Sequence, residues 1–205
     1  MKAFLVSALL LLAPVVHAAT LADVQRSLAA TGSMVADFSQ TAANGAVARG
    51  KVTMKRPGKI RFDYGKGATF LVVADGRTLS FVDYQVGQVS QWPIRSTPLG
   101  VLLDPDSDLS RVARLLPPAQ SPRPGTVALL ASDPKRPELG RIVVLFEPDA
   151  AAPGGLRLVG WQVTDAQNNL TVVSLQNAQW NGAVPDGSFR FADPRRRVAP
   201  AGKGG

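Results

Sequence analysis

The chain has 205 residues, no cysteine, 45% hydrophobic and 19% charged residues, and a formal net charge of +8. That length supports one domain with a substantial core, and 19 Gly with 16 Pro favour many short elements over a long helical bundle. The single histidine, His17, lies in a segment read below as removed, which excludes Ser-His-Asp triads, cysteine nucleophiles and zinc sites with the usual nitrogen and sulfur ligands.

Residues 1–18 have the plan of a secretory leader: Lys2, an apolar run from Ala3 to Val16, and small residues at Val16 and Ala18 before a cut. The run is shorter than the roughly 20 residues that span a bilayer. Ala19 rather than Cys follows the cut, so a soluble, exported and unlipidated chain is expected. Lys2 carries one of the eight net charges and Arg195, Arg196, Arg197 and Lys203 carry four more, which leaves +3 on residues 19–194. The basic character is therefore largely that of the tail, 195–205, which reads as disordered. Export argues against nucleic acid as a partner.

From Thr20, the spacing of Leu21, Val24 and Leu28 predicts an amphipathic helix that stops at Gly32. Six strands are then predicted at Met34–Ala42, Val47–Arg56, Lys59–Tyr64, Phe70–Asp75, Thr78–Tyr84 and Gln88–Pro93, separated by Gly-containing turns. Thr97-Pro98 opens a helical insertion through Leu99, Leu102 and Leu103 to Leu109, Val112 and Leu116. Asp104, Asp106 and Asp108 lack the Gly and Glu of a calcium loop and read as helix-start charges, so no metal is expected. After a Pro-rich linker, strands resume at Thr126–Ala131, Arg141–Phe146, Leu156–Asp165, Leu170–Gln179 and Ser188–Ala192, with Pro148–Gly155 as a long flexible loop. The reading is mainly β with helices: about eleven antiparallel strands that curl into a barrel or half-barrel with helices against one face.

Catalysis has few candidates. No nucleophile elbow, P-loop or dinucleotide fingerprint is present, and there are two glutamates. Paired carboxylates could come from Asp63, Asp75, Asp83 or Asp165, of which Asp75 and Asp165 fall at turns, so the chain is read as a non-enzyme with no cofactor. Alternation places Val52, Met54 and Arg56 on one strand face and Ile60, Phe62 and Tyr64 on one face of the next, with Lys51, Thr53, Lys55, Lys59, Arg61 and Asp63 on solvated faces. Arg56 ends an apolar row. It reads either as a strand-end arginine whose head reaches water, or as the rim of an apolar cavity, free to hydrogen-bond whatever closes over it.

Phe38-Ser39-Gln40 after the first helix, Lys55-Arg56-Pro57-Gly58, Val73-Ala74-Asp75-Gly76-Arg77-Thr78-Leu79, Thr97-Pro98-Leu99 and Phe189-Arg190-Phe191 before Pro194 together resemble the periplasmic outer-membrane lipoprotein carrier family, LolA. The resemblance covers roughly residues 20–194, and the basic tail has no counterpart in it. It implies an unclosed antiparallel β-barrel with a helical lid over its concave face, enclosing a cavity for lipoprotein acyl chains. The cavity would include Phe38, Val52, Met54, Ile60, Phe62, Tyr64, Leu79 and Phe81. The lid would include Leu21, Val24 and Leu28 of the first helix and Pro98, Leu99, Leu102 and Leu103 of the second. Arg56 would be the latch, its guanidinium donating to carbonyls near Leu102 and Leu103. The implied partners are triacylated lipoproteins as cargo, an inner-membrane lipoprotein-releasing ABC transporter and an outer-membrane receptor lipoprotein, served by a monomer. A periplasmic lipid-binding sensor with the same half-barrel is the second reading. The exported form is expected to start at Ala19, which its intact mass checks.

Overall fold

The computed structural model describes residues 19–103, 109–132 and 137–195. Residues 1–18, expected as a leader, the segment containing Asp104, Asp106 and Asp108, and most of the expected tail, 196–205, lie outside the described residues. Helix α1 (Leu21–Ala30) starts at Thr20, whose side chain accepts from the Asp23 N–H at 3.2 Å while the Asp23 carboxylate accepts from the Thr20 N–H at 2.8 Å. This reciprocal pairing satisfies two amides that the first turn leaves open. Among the described residues no helix is long and apolar enough to cross a membrane.

Six strands follow, joined by short turns: β1 (Ser33–Thr41), β2 (Val47–Lys55), β3 (Lys59–Asp63), β4 (Phe70–Asp75), β5 (Thr78–Asp83) and β6 (Gln88–Pro93). Two four-residue helices, α2 (Gly100–Leu103) and α3 (Leu109–Val112), lead to β7 (Ala113–Leu115), β8 (Val127–Ser132), β9 (Arg141–Pro148), β10 (Leu156–Thr164) and β11 (Leu170–Trp180). All neighbours are antiparallel in one sheet of order β6-β5-β4-β3-β2-β1-β11-β10-β9-β8-β7. The last strand pairs with the first at the centre, and β6 and β7 are its two unjoined edges, so the barrel is unclosed.

The expected strand number holds, but its membership changes. Leu109, Val112 and Leu116 have helical spacing, yet only Leu109–Val112 is helical. From Ala113 the backbone pairs with β8, matching Ala113 with Ala131 and Leu115 with Leu129, and the Leu116 N–H donates to the Ala128 carbonyl at 2.8 Å. Conversely, Ser188–Ala192 joins no strand. It begins within a 3₁₀ turn, Asp186–Phe189, and acts through side chains: Phe189 is buried on the convex face against Leu71, Val73 and Val82.

That segment is a strap over a face expected to be solvated. Lys55 Nζ donates to the Val184 carbonyl at 2.9 Å and to the Asp186 carboxylate at 2.8 Å, Lys59 Nζ reaches the same carboxylate at 2.9 Å, and Arg61 donates to the Arg190 carbonyl. The two ammonium groups pull the Asp186 carboxyl down from 3.8 to about 2. A lowered acid pKa means that this contribution to stability is complete above the ordinary carboxylate value and is lost as pH falls through about 2. The expected outcome is that wild type exceeds Asp186→Asn in thermal midpoint near neutral pH and that the gap closes between about pH 4 and pH 2, as measured by circular dichroism melts.

Candidate functional site

Residues paired directly across neighbouring strands share a face, so the register defines the concave surface. One row runs Ala36, Val52, Phe62, Val72, Phe81, and a second runs Met34, Met54, Ile60, Ala74, Leu79, Trp92. On the other half of the sheet, Leu115, Leu129, Val144, Trp161 and Val173 form a third row that ends at Gln40. The aromatic rings touch in sequence: Phe38 meets Phe62 and Tyr64 edge-on at 5.2 Å, Phe62 meets Trp161 at 6.0 Å, Tyr64 meets Phe70 at 4.3 Å, and Phe70 stacks near Phe81 at 6.0 Å. Gly50 lies beneath Phe38, where an added Cβ would come 3.0 Å from the ring and 1.9 Å from the Asp63 carbonyl oxygen.

The helices cover this face. Val24 and Leu28 of α1, Leu103 of α2 and Leu109 of α3 join the core made by the concave rows. Helix α1 is tied down by polar groups as well. The Ser27 hydroxyl reaches the carbonyls of Pro153, at 2.8 Å, and Leu156. Asn181 accepts from the Gly32 N–H at 2.8 Å and donates to the Ala30 carbonyl at 3.0 Å, closing the helix end. Arg56 Nε donates to the Thr31 carbonyl at 3.1 Å. Between Leu28, Met34, Met54, Phe146, Leu158 and Trp180 these contacts leave a cavity of about 20 Å³, space for a water molecule rather than an acyl chain.

The β9–β10 tip, expected as a flexible loop, is the seat of α1. The Asp149 carboxylate accepts from the Ala151 N–H, Asp149 N–H donates to the Gly155 carbonyl at 3.0 Å, and Ala152 is buried. Gly154 has φ +71°, and a Cβ there would lie 2.5 Å from the Ser27 Cα, so the position requires glycine both for its backbone and for its contact.

Residues 29–192 match the family described as outer membrane lipoprotein carrier protein LolA. The chain belongs to the LolA family. A relative named outer-membrane lipoprotein carrier protein in Chromobacterium violaceum is 28% identical, over 90% of this chain and 88% of its own. One of the same name in Nitrosospira multiformis is 26% identical over 90% of each. A solved LolA superfamily protein from Nitrosomonas europaea aligns with a TM-score of 0.43 at 12% identity, covering 84% of this chain and 99% of that one.

In this LolA-family chain, the eight residues expected to line a cavity all sit on the concave side. Phe38, Val52, Met54, Ile60 and Phe62 are buried, Tyr64 and Leu79 are half-buried, and Phe81 is 38% exposed. Of the residues expected in the lid, Val24, Leu28 and Leu103 are buried in the shared core, Leu21 and Leu99 pack against it, Pro98 precedes α2, and Leu102 lies within α2.

Arg56, expected as the latch, ties down the end of α1. The Arg56 side chain holds the Thr31 carbonyl at the end of α1, and the Leu103 carbonyl is taken by the Gly58 backbone N–H at 2.9 Å. The backbone prepares both contacts: the Arg56 N–H donates to the Gly32 carbonyl at 2.8 Å, which places the guanidinium beside α1, and the turn that follows carries Gly58 to α2. Sequence reasoning missed Trp161, Val144 and Phe146, although Ile142, Val144 and Phe146 alternate, and it missed Ser27 and Asn181, which carry no pattern at all.

The carboxylates weighed for acid-base work serve turns instead. Asp63 accepts from Gly65, Asp75 from Arg77 and Thr78, Asp83 from Gln85 and Val86, and Asp165 from Gln167 and Asn169, all through backbone N–H groups. Each is committed to its own hairpin.

The seat of α1 is open to a direct test. Ser27→Ala is expected to lower unfolding free energy by about 1 kcal/mol, and Gly154→Ala by roughly 2 kcal/mol through backbone strain and the Ser27 clash. Urea unfolding of both variants checks the order.

Proposed function

We propose that the protein is a periplasmic carrier that shields the acyl chains of triacylated lipoproteins against its concave face. It takes them from an inner-membrane lipoprotein-releasing ABC transporter and delivers them to an outer-membrane receptor lipoprotein. On this reading residues 1–18 are the cleaved leader, 19–194 the working domain and 195–205 a basic tail, and the chain works as a monomer without catalysis.

The observation that supports it is the continuous apolar concave face, in a chain of the lipoprotein carrier family, covered by helices that fill it rather than by a permanent second sheet. Each acyl methylene costs about 0.8 kcal/mol to expose to water, so cargo of this kind needs a shield to cross an aqueous compartment. The helices give the empty carrier a low-energy state, and cargo must displace their side chains to load. Release then returns the protein to the covered state, which keeps the cargo from being held too tightly.

Arg56 carries the test, because its hydrogen bond belongs to the covered state. Loss of a bond from a charged donor, worth about 1.5–3 kcal/mol, favours the loaded state by roughly 10- to 100-fold in Arg56→Leu. That variant is expected to load a fluorescent triacylated lipoprotein, retain it and transfer little to the receptor, with Arg56→Lys intermediate because it keeps the charge without the planar fork. Equal transfer by wild type and Arg56→Leu overturns the latch role, and a wild type that binds no lipoprotein overturns the carrier reading.

A further inference from the structure

On the concave face of β1 to β4 the side chains between the two ends are apolar: Met34, Ala36 and Phe38 on β1 stand for the rest. Arg56 marks one end. At the other, the Tyr64 hydroxyl donates to Gln40 Oε1 at 3.1 Å. Gln40 is half-buried, two residues beyond Phe38 on the same face, in the row that continues through Val173 and Trp161.

We infer that Gln40 and Tyr64 form a polar subsite that receives an acyl-ester carbonyl, with the attached chain laid along Tyr64, Phe70 and Phe81; the inference rests on the carrier reading. Three observations converge on it. The Tyr64 hydrogen bond fixes which end of the Gln40 amide is occupied, so the NH₂ group points the other way, and it donates to no protein acceptor among the described residues. A donor at the rim of an apolar face fits a ligand group that accepts and does not donate, which describes an ester carbonyl.

The face is also open where the subsite needs it to be. It is sealed at Val52 and Ile60, both fully buried, and accessible along the other flank, where Phe81 is 38% and Trp92 46% exposed. A chain anchored at Gln40 can therefore reach solvent-accessible aromatic surface without first lifting α1. Finally, burial pushes the Tyr64 hydroxyl up to about 12, so it remains a neutral donor and keeps the amide oriented at any physiological pH.

The experiment compares two fluorescent probes on the mature chain, a diacylglycerol with two ester carbonyls and its dialkyl ether counterpart. Wild type is expected to bind the ester probe about 3- to 10-fold more tightly than the ether, the range of one net hydrogen bond. Gln40→Met removes the donor at similar volume and is expected to abolish that preference by weakening the ester probe alone. Gln40→Leu removes the donor without adding a charge, and it is expected to do the same should Gln40→Met fold poorly. Equal binding of both probes by wild type, or equal weakening of both by the Gln40 variants, overturns the subsite and leaves the carrier reading standing. A wild type that binds neither probe overturns both.

Discussion

Everything in this molecule follows from a sheet that curls without closing. A closed barrel joins its edge strands and encloses its own interior, whereas here β6 and β7 stand at opposite ends of the order and the concave face is left to be covered by something else. Burying a large aliphatic or aromatic side chain contributes about 1.5–3 kcal/mol, and the concave rows contain many of them. Val24, Leu28, Leu103 and Leu109 supply the cover. The convex face solves a smaller version of the problem with the Phe189 strap, held by Lys55 and Lys59 through Asp186.

Both parts of the cover combine apolar burial with hydrogen bonds. Helix α1 is fixed to three separate segments by directional bonds: its Ser27 donates to the Leu156 carbonyl, and Asn181 and Arg56 donate to the Ala30 and Thr31 carbonyls at its end. Hydrogen bonds of this kind lose most of their value over a small displacement, so lifting α1 breaks them together. Helix α2 contributes the buried Leu103, whose carbonyl accepts from the Gly58 N–H, and apolar contacts are non-directional and can be exchanged for others. The Arg56 to Gly58 turn touches both helices: the Arg56 side chain reaches the Thr31 carbonyl at the end of α1, and the Gly58 N–H reaches the Leu103 carbonyl of α2. Any lifting of either piece is therefore felt at this turn.

The sheet was legible in the sequence because hairpin turns and period-two alternation are local signals. Ile60, Phe62 and Tyr64 could be placed on one face by counting, and their neighbours followed. Ala113–Leu115 could not, because three residues are too few to separate a strand from the end of a helix, and only pairing with β8 decides it. Ser188–Ala192 failed for the opposite reason: it alternates like a strand, but the side of the sheet it meets is a face and not an edge. Arg56 was recognisable as an anomaly, yet its partner depended on where the Gly32 carbonyl would lie, a contact between segments that only the folded chain brings together. Ser27 and Asn181 are ordinary residues in ordinary places. Their roles come from carbonyls contributed by Pro153, Leu156 and Ala30, and nothing in their own neighbourhoods announces it.

On the carrier reading, the protein's own helices and the cargo compete for one surface. Displacing a leucine such as Leu103 or Leu109 from that surface costs about 1.5–3 kcal/mol, and each methylene that replaces it returns about 0.8 kcal/mol. A few methylenes thus offset each leucine, and the remaining length of a long acyl chain supplies the net affinity. The hydrogen bonds broken on opening subtract a fixed amount that does not grow with chain length. Apolar substitutions on the lifting helix and polar substitutions at the Arg56 turn should therefore both shift the affinities of all chain lengths together, whereas substitutions on the concave face change the gain per methylene. A carrier built this way can be tuned to hold its cargo firmly enough to cross water and loosely enough to surrender it, without altering the face that the cargo touches.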